Sequence, residues 1–100
     1  MQSFTAVGRL TKVPVLTYGN QARVTFTIVV DSRNGTFVST DYIPCVAWRE
    51  LAELIANYTV KGQRIGIKGA LRSRPYQDSV RYEVEVYEVE FYDAPAKTSN

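Results

Sequence analysis

Residues 41–62, DYIPCVAWRELAELIANYTVKG, constrain the fold most, because their hydrophobic period changes midway from two to about three and a half. Such a change marks a strand that runs directly into a helix. In the strand half, one alternating set is predicted to point into the core: Ile43, Cys45 and Ala47. The other face carries Tyr42, Pro44, Val46 and Trp48. The two aromatic rings of that face have polar atoms that tolerate water, which favours an outer or groove surface.

The second half of the stretch predicts an amphipathic helix of about two to three turns, because apolar residues recur at i, i+3, i+4 and i+7. These residues are Leu51, Leu54, Ile55 and Tyr58, with Glu50, Glu53 and Asn57 opposite. Gly62 is placed to end the helix.

Two strands are predicted before this stretch. The first is Phe4 to Leu10, with Gly8 as a bulge or a point of close approach, and residues 11–20 are predicted to form a loop or irregular crossing. Residues 23–31 alternate cleanly, with an inward face of Val24, Phe26, Ile28 and Val30. The pair Asn34-Gly35 predicts a type I′ hairpin turn between the second and third strands.

Two more strands are predicted after the helix. Residues 63–76 have an inward face of Ile65, Ile67, Gly69 and Leu71 and an opposite face that is basic. Residues 77–79 are predicted to turn, and residues 80–91 form the last strand. The inward positions of that strand change parity between Val86 and Val89, which predicts a bulge near Tyr87-Glu88.

The order of three strands, one helix and two strands predicts an all-β fold, a five-stranded Greek-key barrel of the OB-fold type with its helix between the third and fourth strands. An SH3-like barrel is the second alternative and an open α+β sheet the third. We expect one domain over residues 1–93 and a short, flexible polar tail over residues 94–100.

The composition argues against an enzyme. The chain has no histidine, which removes the commonest metal ligand and the commonest general base near neutral pH. Its one cysteine cannot form an internal disulfide, and the parity of Cys45 places the thiol inward, where thiols are inert. No apolar run approaches the roughly 20 residues of a membrane span, and no secretory signal is recognisable. We expect a cytoplasmic protein without a catalytic site, metal, cofactor or membrane partner.

Charge and aromatic residues are distributed in a pattern that favours binding of single-stranded nucleic acid. Residues 61–81 hold six basic residues and one acidic residue. The acidic residues that follow them in the last strand are predicted to be solvated or to pair with nearby basic side chains. Stacking platforms and cations bind single strands, and Tyr76 ends the basic strand face just after Arg72 and Arg74. Aromatic residues on strands mostly pack in cores, and basic faces often serve only solubility. The coincidence of both on adjacent strands favours the binding function.

Four blocks resemble, in order, the motifs of bacterial-type single-stranded DNA-binding proteins. They are VGRLTKVP from Val7, VTFTIVVDS from Val24, the stretch 41–62, and GALRSRPY from Gly69. The resemblance covers about residues 4–93. It implies an OB-fold that assembles as a homotetramer, with a dimer as the alternative. It further implies coating of single-stranded DNA without sequence preference in replication, recombination or repair, with no catalytic activity and no cofactor.

The resemblance also implies roles for individual residues. Tyr42, Trp48 and Tyr76 fall on three positions where the family stacks bases, and Phe37 is the substitute for a fourth aromatic that would fall near Asn34. The implied phosphate contacts are Arg9, Lys12, Arg49, Lys68, Arg72 and Arg74.

Some questions stay open at this stage. Family members that organise genome maintenance carry a long tail whose acidic tip recruits replication and repair proteins, and the sequence to Asn100 has no such tip. Either the sequence is part of a longer protein, or the resemblance is to a compact form, which would be a phage, plasmid or paralogous version. The expected location is the cytoplasm, as a nucleoid-associated or a phage- or plasmid-encoded protein. The alternative function is an OB-fold adaptor of the primosome-accessory type, whose main partner is a protein. A small hydrolase using Cys45 is a further rival, and RNA is an alternative ligand because stacking does not read the 2′-hydroxyl.

Overall fold

A computed structural model describes residues 1–92. It contains six strands and one helix: β1 Phe4–Leu10, β2 Val15–Tyr18, β3 Ala22–Asn34, β4 Phe37–Trp48, α1 Arg49–Tyr58, β5 Arg64–Tyr76 and β6 Ser79–Phe91. The predicted tail at residues 94–100 lies outside the described residues. Within residues 1–92 no helix is both long and apolar enough to cross a membrane.

Five of the strands close into a barrel. β1 pairs with β5, β5 with β6, β6 with β4 and β4 with β3, and a short β1–β3 pairing at Arg9–Val29 and Leu10–Ile28 completes the ring. All pairings are antiparallel except β4–β6, which runs parallel through Cys45–Val84. The helix lies between the third and fourth barrel strands, so the predicted OB-fold arrangement is confirmed.

The short strand β2 lies in the segment that was predicted to be a loop, so that prediction was wrong. Val15–Tyr18 pairs with residues 22–25 of β3, and the Tyr18 hydroxyl donates a hydrogen bond to Glu53 Oε2 on α1 at 3.1 Å. The segment is mostly exposed and only four residues long, which gives no readable alternation. Its strand conformation depends on the edge that β3 offers, which is a tertiary effect.

The barrel interior is filled by the inward faces predicted from alternation. Its buried residues are Leu10, Ala22, Val24, Phe26, Ile28, Cys45, Ala47, Ile65, Ile67, Val84 and Val86, with Ala52 and Ile55 of α1 packed in the same cluster. Gly8 confirms its predicted close approach, since a Cβ there would lie 2.5 Å from the Val29 carbonyl oxygen. Leu71 had been assigned to the inward face as well, but it is 42% exposed.

The helix buries a narrower stripe than its sequence pattern predicted. Ala52 and Ile55 are fully buried, whereas Leu54 is 40% and Tyr58 61% exposed. Small residues at the contact allow a short helix to lie close against the barrel, and the larger apolar side chains remain beside that contact. The apolar stripe predicted for the helix is therefore only partly buried, and Leu54 and Tyr58 lie outside the core contact.

The helix also ends earlier than predicted. Its last residue is Tyr58, with Thr59 as an extended C-cap. Gly62 adopts a φ of +85° in the turn that follows, and its N–H donates to the Leu10 carbonyl oxygen at 2.9 Å. The glycine thus shapes the connection to β5 and does not cap the helix.

The β3–β4 hairpin turns one residue later than predicted. Asn34 is paired with Phe37, which leaves Gly35 and Thr36 as the two turn residues. Gly35 has a φ of +67°, whereas neither Asn34 nor Thr36 has a positive φ. A positive φ at only the first central residue excludes the predicted type I′ turn, which needs it at both.

The predicted bulge in the last strand is confirmed. Lys68 pairs with Glu88 and Gly69 with Val86, so Tyr87 is the extra residue of β6. A Cβ on Gly69 would lie 1.9 Å from the Glu85 carbonyl oxygen, across the paired strands. The close approach at the bulge therefore requires glycine.

We predict that Gly69→Ala lowers the free energy of unfolding by about 1–3 kcal/mol, the usual cost of overpacking. The backbone at Glu85 must move to accept the methyl group. Gly19→Ala is the matched control, since a Cβ there meets no atom within 4 Å. It should change stability by less than about 1 kcal/mol. Urea unfolding followed by circular dichroism measures both variants, and equal stabilities would contradict the predicted close approach.

Candidate nucleic-acid interface

The outer face of β4 presents two of the predicted stacking residues. Tyr42 is 69% exposed, and Trp48, the last strand residue before α1, is half-buried. Val46 lies on the same face but is fully buried, contrary to its assignment to an exposed face. At that position β4 is flanked on both sides, by Thr25 of β3 and by Glu85 of β6. The accessible part of the face therefore lies on either side of Val46.

Trp48 has a basic neighbour that the sequence did not assign to the site. Arg23 pairs with it across the β3–β4 ladder, and the guanidinium carbon lies 5.7 Å from the centroid of the indole ring. Both residues line a cavity of about 410 Å³ together with Tyr18 and Gln21. The ring is held at the wall of an open cavity, which is where a base can reach it.

The strand-to-helix junction positions Trp48. Trp48 is extended, with φ −129°, and Arg49 directly after it adopts the left-handed region with φ +62°. The Arg49 Nε–H donates to Gln21 Oε1 at 2.7 Å. A non-glycine residue in this region is strained and persists only when its surroundings hold it. The reversal directs Arg49 toward the wall of the Trp48 cavity.

Tyr76 lies at the far end of β5 and, like Trp48, has an arginine over its ring. It is 42% exposed, and the Arg81 guanidinium carbon lies 3.9 Å from the ring centroid. A cavity of about 520 Å³ adjoins it, lined by Arg23, Pro44, Arg74, Pro75, Tyr76, Arg81, Tyr82 and Glu83. Arg23 lines both this cavity and the Trp48 cavity, so the two rings border adjacent cavities, which together we call the aromatic groove.

The predicted phosphate-binding residues of β5 are paired with acidic residues of β6. Arg72 Nε lies 3.4 Å from Glu85 Oε1, and Arg74 forms a salt bridge with Glu83. Both arginine side chains remain about half exposed, at 54% and 51%. The acidic residues of β6 thus pair with nearby basic side chains, which is one of the two roles predicted for them. The glutamates are more buried, at 25% and 19%, so the arginines offer their solvent-facing N–H groups to a phosphate while the pairs remain formed.

Two of the other predicted phosphate-binding cations lie near the groove. Lys12 is exposed on a cavity of about 250 Å³ that shares Pro44 and Glu83 with the Tyr76 cavity. Arg9 of β1 pairs with Val29 of β3, and Val29 pairs with Tyr42 of β4. The Arg9 Nη1 donates to the Gly62 carbonyl oxygen at 3.1 Å.

Two predicted residues are not brought to the groove. Lys68 lines a separate cavity of about 440 Å³ with Glu88, its cross-strand partner. Phe37 is 80% exposed at the hairpin tip and, by strand alternation, lies on the opposite side of β4 from Tyr42 and Trp48. Of the predicted rings, Trp48 and Tyr76 border the groove, and Tyr42 lines an adjacent cavity of about 500 Å³ that shares Pro44 with the Tyr76 cavity.

Comparison with known families agrees with this geometry. The model of the family described as "Single-strand binding protein family" matches residues 1–93. The chain belongs to that family. It is 44% identical over 89 residues to the single-stranded DNA-binding protein of Lactiplantibacillus plantarum, covering 83% of this chain and 44% of the relative. It is 41% identical over 92 residues to single-stranded DNA-binding protein A of Bacillus subtilis, covering 84% of this chain and 52% of the relative.

The chain spans about half the length of these curated relatives. Among solved structures, the Plasmodium falciparum SSB complex with ssDNA superposes with a TM-score of 0.84 at 22% identity. The superposition covers 93% of this chain and 96% of that one, which shows the fold.

In this member of the single-strand binding protein family, the site residues missed in the sequence are Arg23 and Arg81. A turn at Asn34-Gly35 would have placed Gln21 opposite Trp48, whereas the actual turn places Arg23 there. A two-residue slip keeps every side chain on its face, so the faces were predicted correctly and the partners were not. Arg81 was missed because the turn was predicted over residues 77–79, whereas it has only residues 77 and 78. Tyr76 therefore pairs with Ser79, and Arg81 is the diagonal neighbour of Tyr76.

Cys45 lies behind the groove and has the character of a buried structural thiol. Burial raises its pKa to about 12, and the negative charge of Glu83 acts in the same direction. Its S–H donates to the Ile43 carbonyl oxygen at 3.5 Å. The neutral thiol is thus favoured in the folded state, and this contribution to stability is lost as pH rises from about 9 toward 12.

We predict that iodoacetamide at pH 8 modifies Cys45 at least about a hundredfold more slowly in the folded protein than in urea, because both the thiolate population and access are reduced. Mass spectrometry of timed samples measures the two rates. Rapid modification of the folded chain would show a reactive thiol and reopen the hydrolase alternative.

Proposed function

We propose that the protein binds single-stranded DNA without sequence preference, by stacking bases on aromatic side chains and contacting phosphates with basic ones. The observation that carries this proposal is the aromatic groove, in which Trp48 and Tyr76 line adjacent cavities that share Arg23. Family membership supports it, since relatives are named single-stranded DNA-binding proteins and a solved structure of the same fold is a complex with ssDNA.

Stacking supplies affinity that does not depend on the base. Each base stacked on an aromatic ring contributes about 1–3 kcal/mol, and every base has a face to offer. Tyr42, Trp48 and Tyr76 are the proposed platforms. Tyr42 and Trp48 lie six residues apart on one strand, about 20 Å at the rise of an extended chain, so they serve different nucleotides.

Charge supplies the second part of the binding energy. Arg72 and Arg74 are about half exposed, so each can contact a phosphate through its outward N–H groups while its Nε stays with the glutamate. Lys12 and Arg49 lie at the two neighbouring cavities, and Arg9 lies in line with Tyr42. This assigns five of the six predicted phosphate contacts to one side of the barrel, with Lys68 as the exception.

The biological role follows from this binding. A protein that covers exposed bases protects single strands during replication, recombination or repair, in the cytoplasm and without catalysis. We propose that it acts as an oligomer, the homotetramer implied by the family.

We predict that Trp48→Ala and Tyr76→Ala each weaken binding of a labelled oligo(dT) by about 5- to 150-fold, the equivalent of one lost stacking contact. Trp48→Phe keeps a ring and should retain most of the affinity. Fluorescence anisotropy measures the binding, and circular dichroism checks that the variants remain folded.

Tyr58→Ala is the control for this experiment, because Tyr58 is an exposed aromatic on α1, outside the groove. Its removal should leave affinity unchanged. If the wild-type protein bound oligo(dT) and all three alanine variants bound it equally well, the stacking assignment would be wrong.

A further inference from the structure

Arg23 occupies the central position of the aromatic groove. It is the second residue of β3, lies on the outer face, and pairs directly with Trp48. Its side chain lines both the cavity beside Trp48 and the cavity beside Tyr76. A strand of DNA that passes from one ring to the other must therefore pass Arg23.

Three other arginines in or near the groove are held by polar groups of the protein. Arg72 and Arg74 are in salt bridges with Glu85 and Glu83, and Arg49 donates to the side chain of Gln21. Arg23, in contrast, has no salt bridge to any of residues 1–92, and its guanidinium makes a cation–π contact with the indole ring of Trp48. A guanidinium over an aromatic ring keeps its outward N–H donors available for a phosphate.

Arg81 is the other groove arginine that lies over a ring, but it is placed differently. Its guanidinium carbon is 3.9 Å from the centroid of Tyr76, which is stacking distance, so it covers one face of that ring. The Arg23 guanidinium is 5.7 Å from the Trp48 centroid, farther than a stacked layer. This larger distance leaves more room for a DNA base at the Trp48 ring than at the Tyr76 ring.

We propose that Arg23 is a phosphate-binding residue that bridges the nucleotides stacked on Trp48 and Tyr76. This inference rests on the proposed function and adds to it a residue in the centre of the DNA path. The guanidinium contacts the backbone between the two stacked positions, and its contact with the indole ring fixes it there before DNA arrives. Because that cation is already ordered and has no carboxylate partner to displace, it contributes a full phosphate contact.

A purely structural role for Arg23 makes a different prediction. If the side chain only supported the Trp48 ring, its removal would lower affinity through stacking and leave the number of phosphate contacts unchanged. The salt dependence of binding separates the two roles, because the slope of log K against log salt for single strands is about −0.7 per phosphate neutralised.

The experiment measures binding of short oligo(dT) between low and moderate salt for the wild type, Arg23→Gln and Arg23→Lys. We expect Arg23→Gln to weaken binding several-fold and to make the slope shallower by about 0.7, the loss of one contact. Arg23→Lys retains the charge and should restore the slope of the wild type.

Arg64→Gln is the matched control, since the Arg64 guanidinium lies 5.5 Å over the ring of Tyr92, on a cavity wall that is separate from the groove. It removes the same charge and the same kind of ring contact, and it should leave the slope unchanged. A slope for Arg23→Gln equal to that of a DNA-binding wild type would overturn this inference alone. Failure of the wild type to bind oligo(dT) would overturn the proposed function, and this inference with it.

Discussion

The register of the β3–β4 hairpin is the constraint on which the candidate site depends. Twelve residue pairs follow one another from Asn34–Phe37 to Arg23–Trp48 without a shift. The two-residue turn at Gly35-Thr36 fixes this register, and side-chain alternation then sends Val24, Phe26 and Ile28 into the core. The same alternation keeps Tyr42 and Trp48 outside. One turn therefore determines which residues of β3 lie opposite the rings of β4, with Arg23 opposite Trp48.

The β5–β6 hairpin adds the second half of the site and moderates its charge. Basic side chains of β5 lie on the same outer face as the glutamates of β6, so part of the positive charge predicted for this surface is balanced within the protein. The net charge of the chain is only +2. We assign the preference for exposed bases over a paired duplex to the proposed stacking rings, because a net charge this small attracts any polyanion only weakly.

Much of the fold follows from the sequence because its signals are local. Period-two alternation located β1, β3, β5 and β6, and the change of period at Trp48 located the start of α1. The parity change after Val86 located the bulge, which the pairing of Lys68 and Gly69 confirms. The sequence did not reveal β2, the narrow buried stripe of α1 or the burial of Val46, because each depends on a neighbouring element.

In the candidate site, too, local features were predictable and features that depend on a neighbouring strand were not. The faces of Tyr42, Trp48 and Tyr76 were predictable from parity, which a two-residue slip does not alter. Arg23 and Arg81 were not recognised, because their place beside the rings depends on cross-strand register. The left-handed conformation of Arg49 was not predictable either, since nothing local favours it over an extended one.

The central claim is that a DNA base stacks on Trp48, and the intrinsic fluorescence of this residue tests it most directly because it is the only tryptophan. Oligo(dT) is titrated into the protein at low and high salt, and the titration is repeated with duplex DNA. The account predicts strong quenching by the single strand, weakened by salt, and little change with the duplex. Unchanged Trp48 fluorescence with every nucleic acid would contradict the account and favour a protein as the main partner.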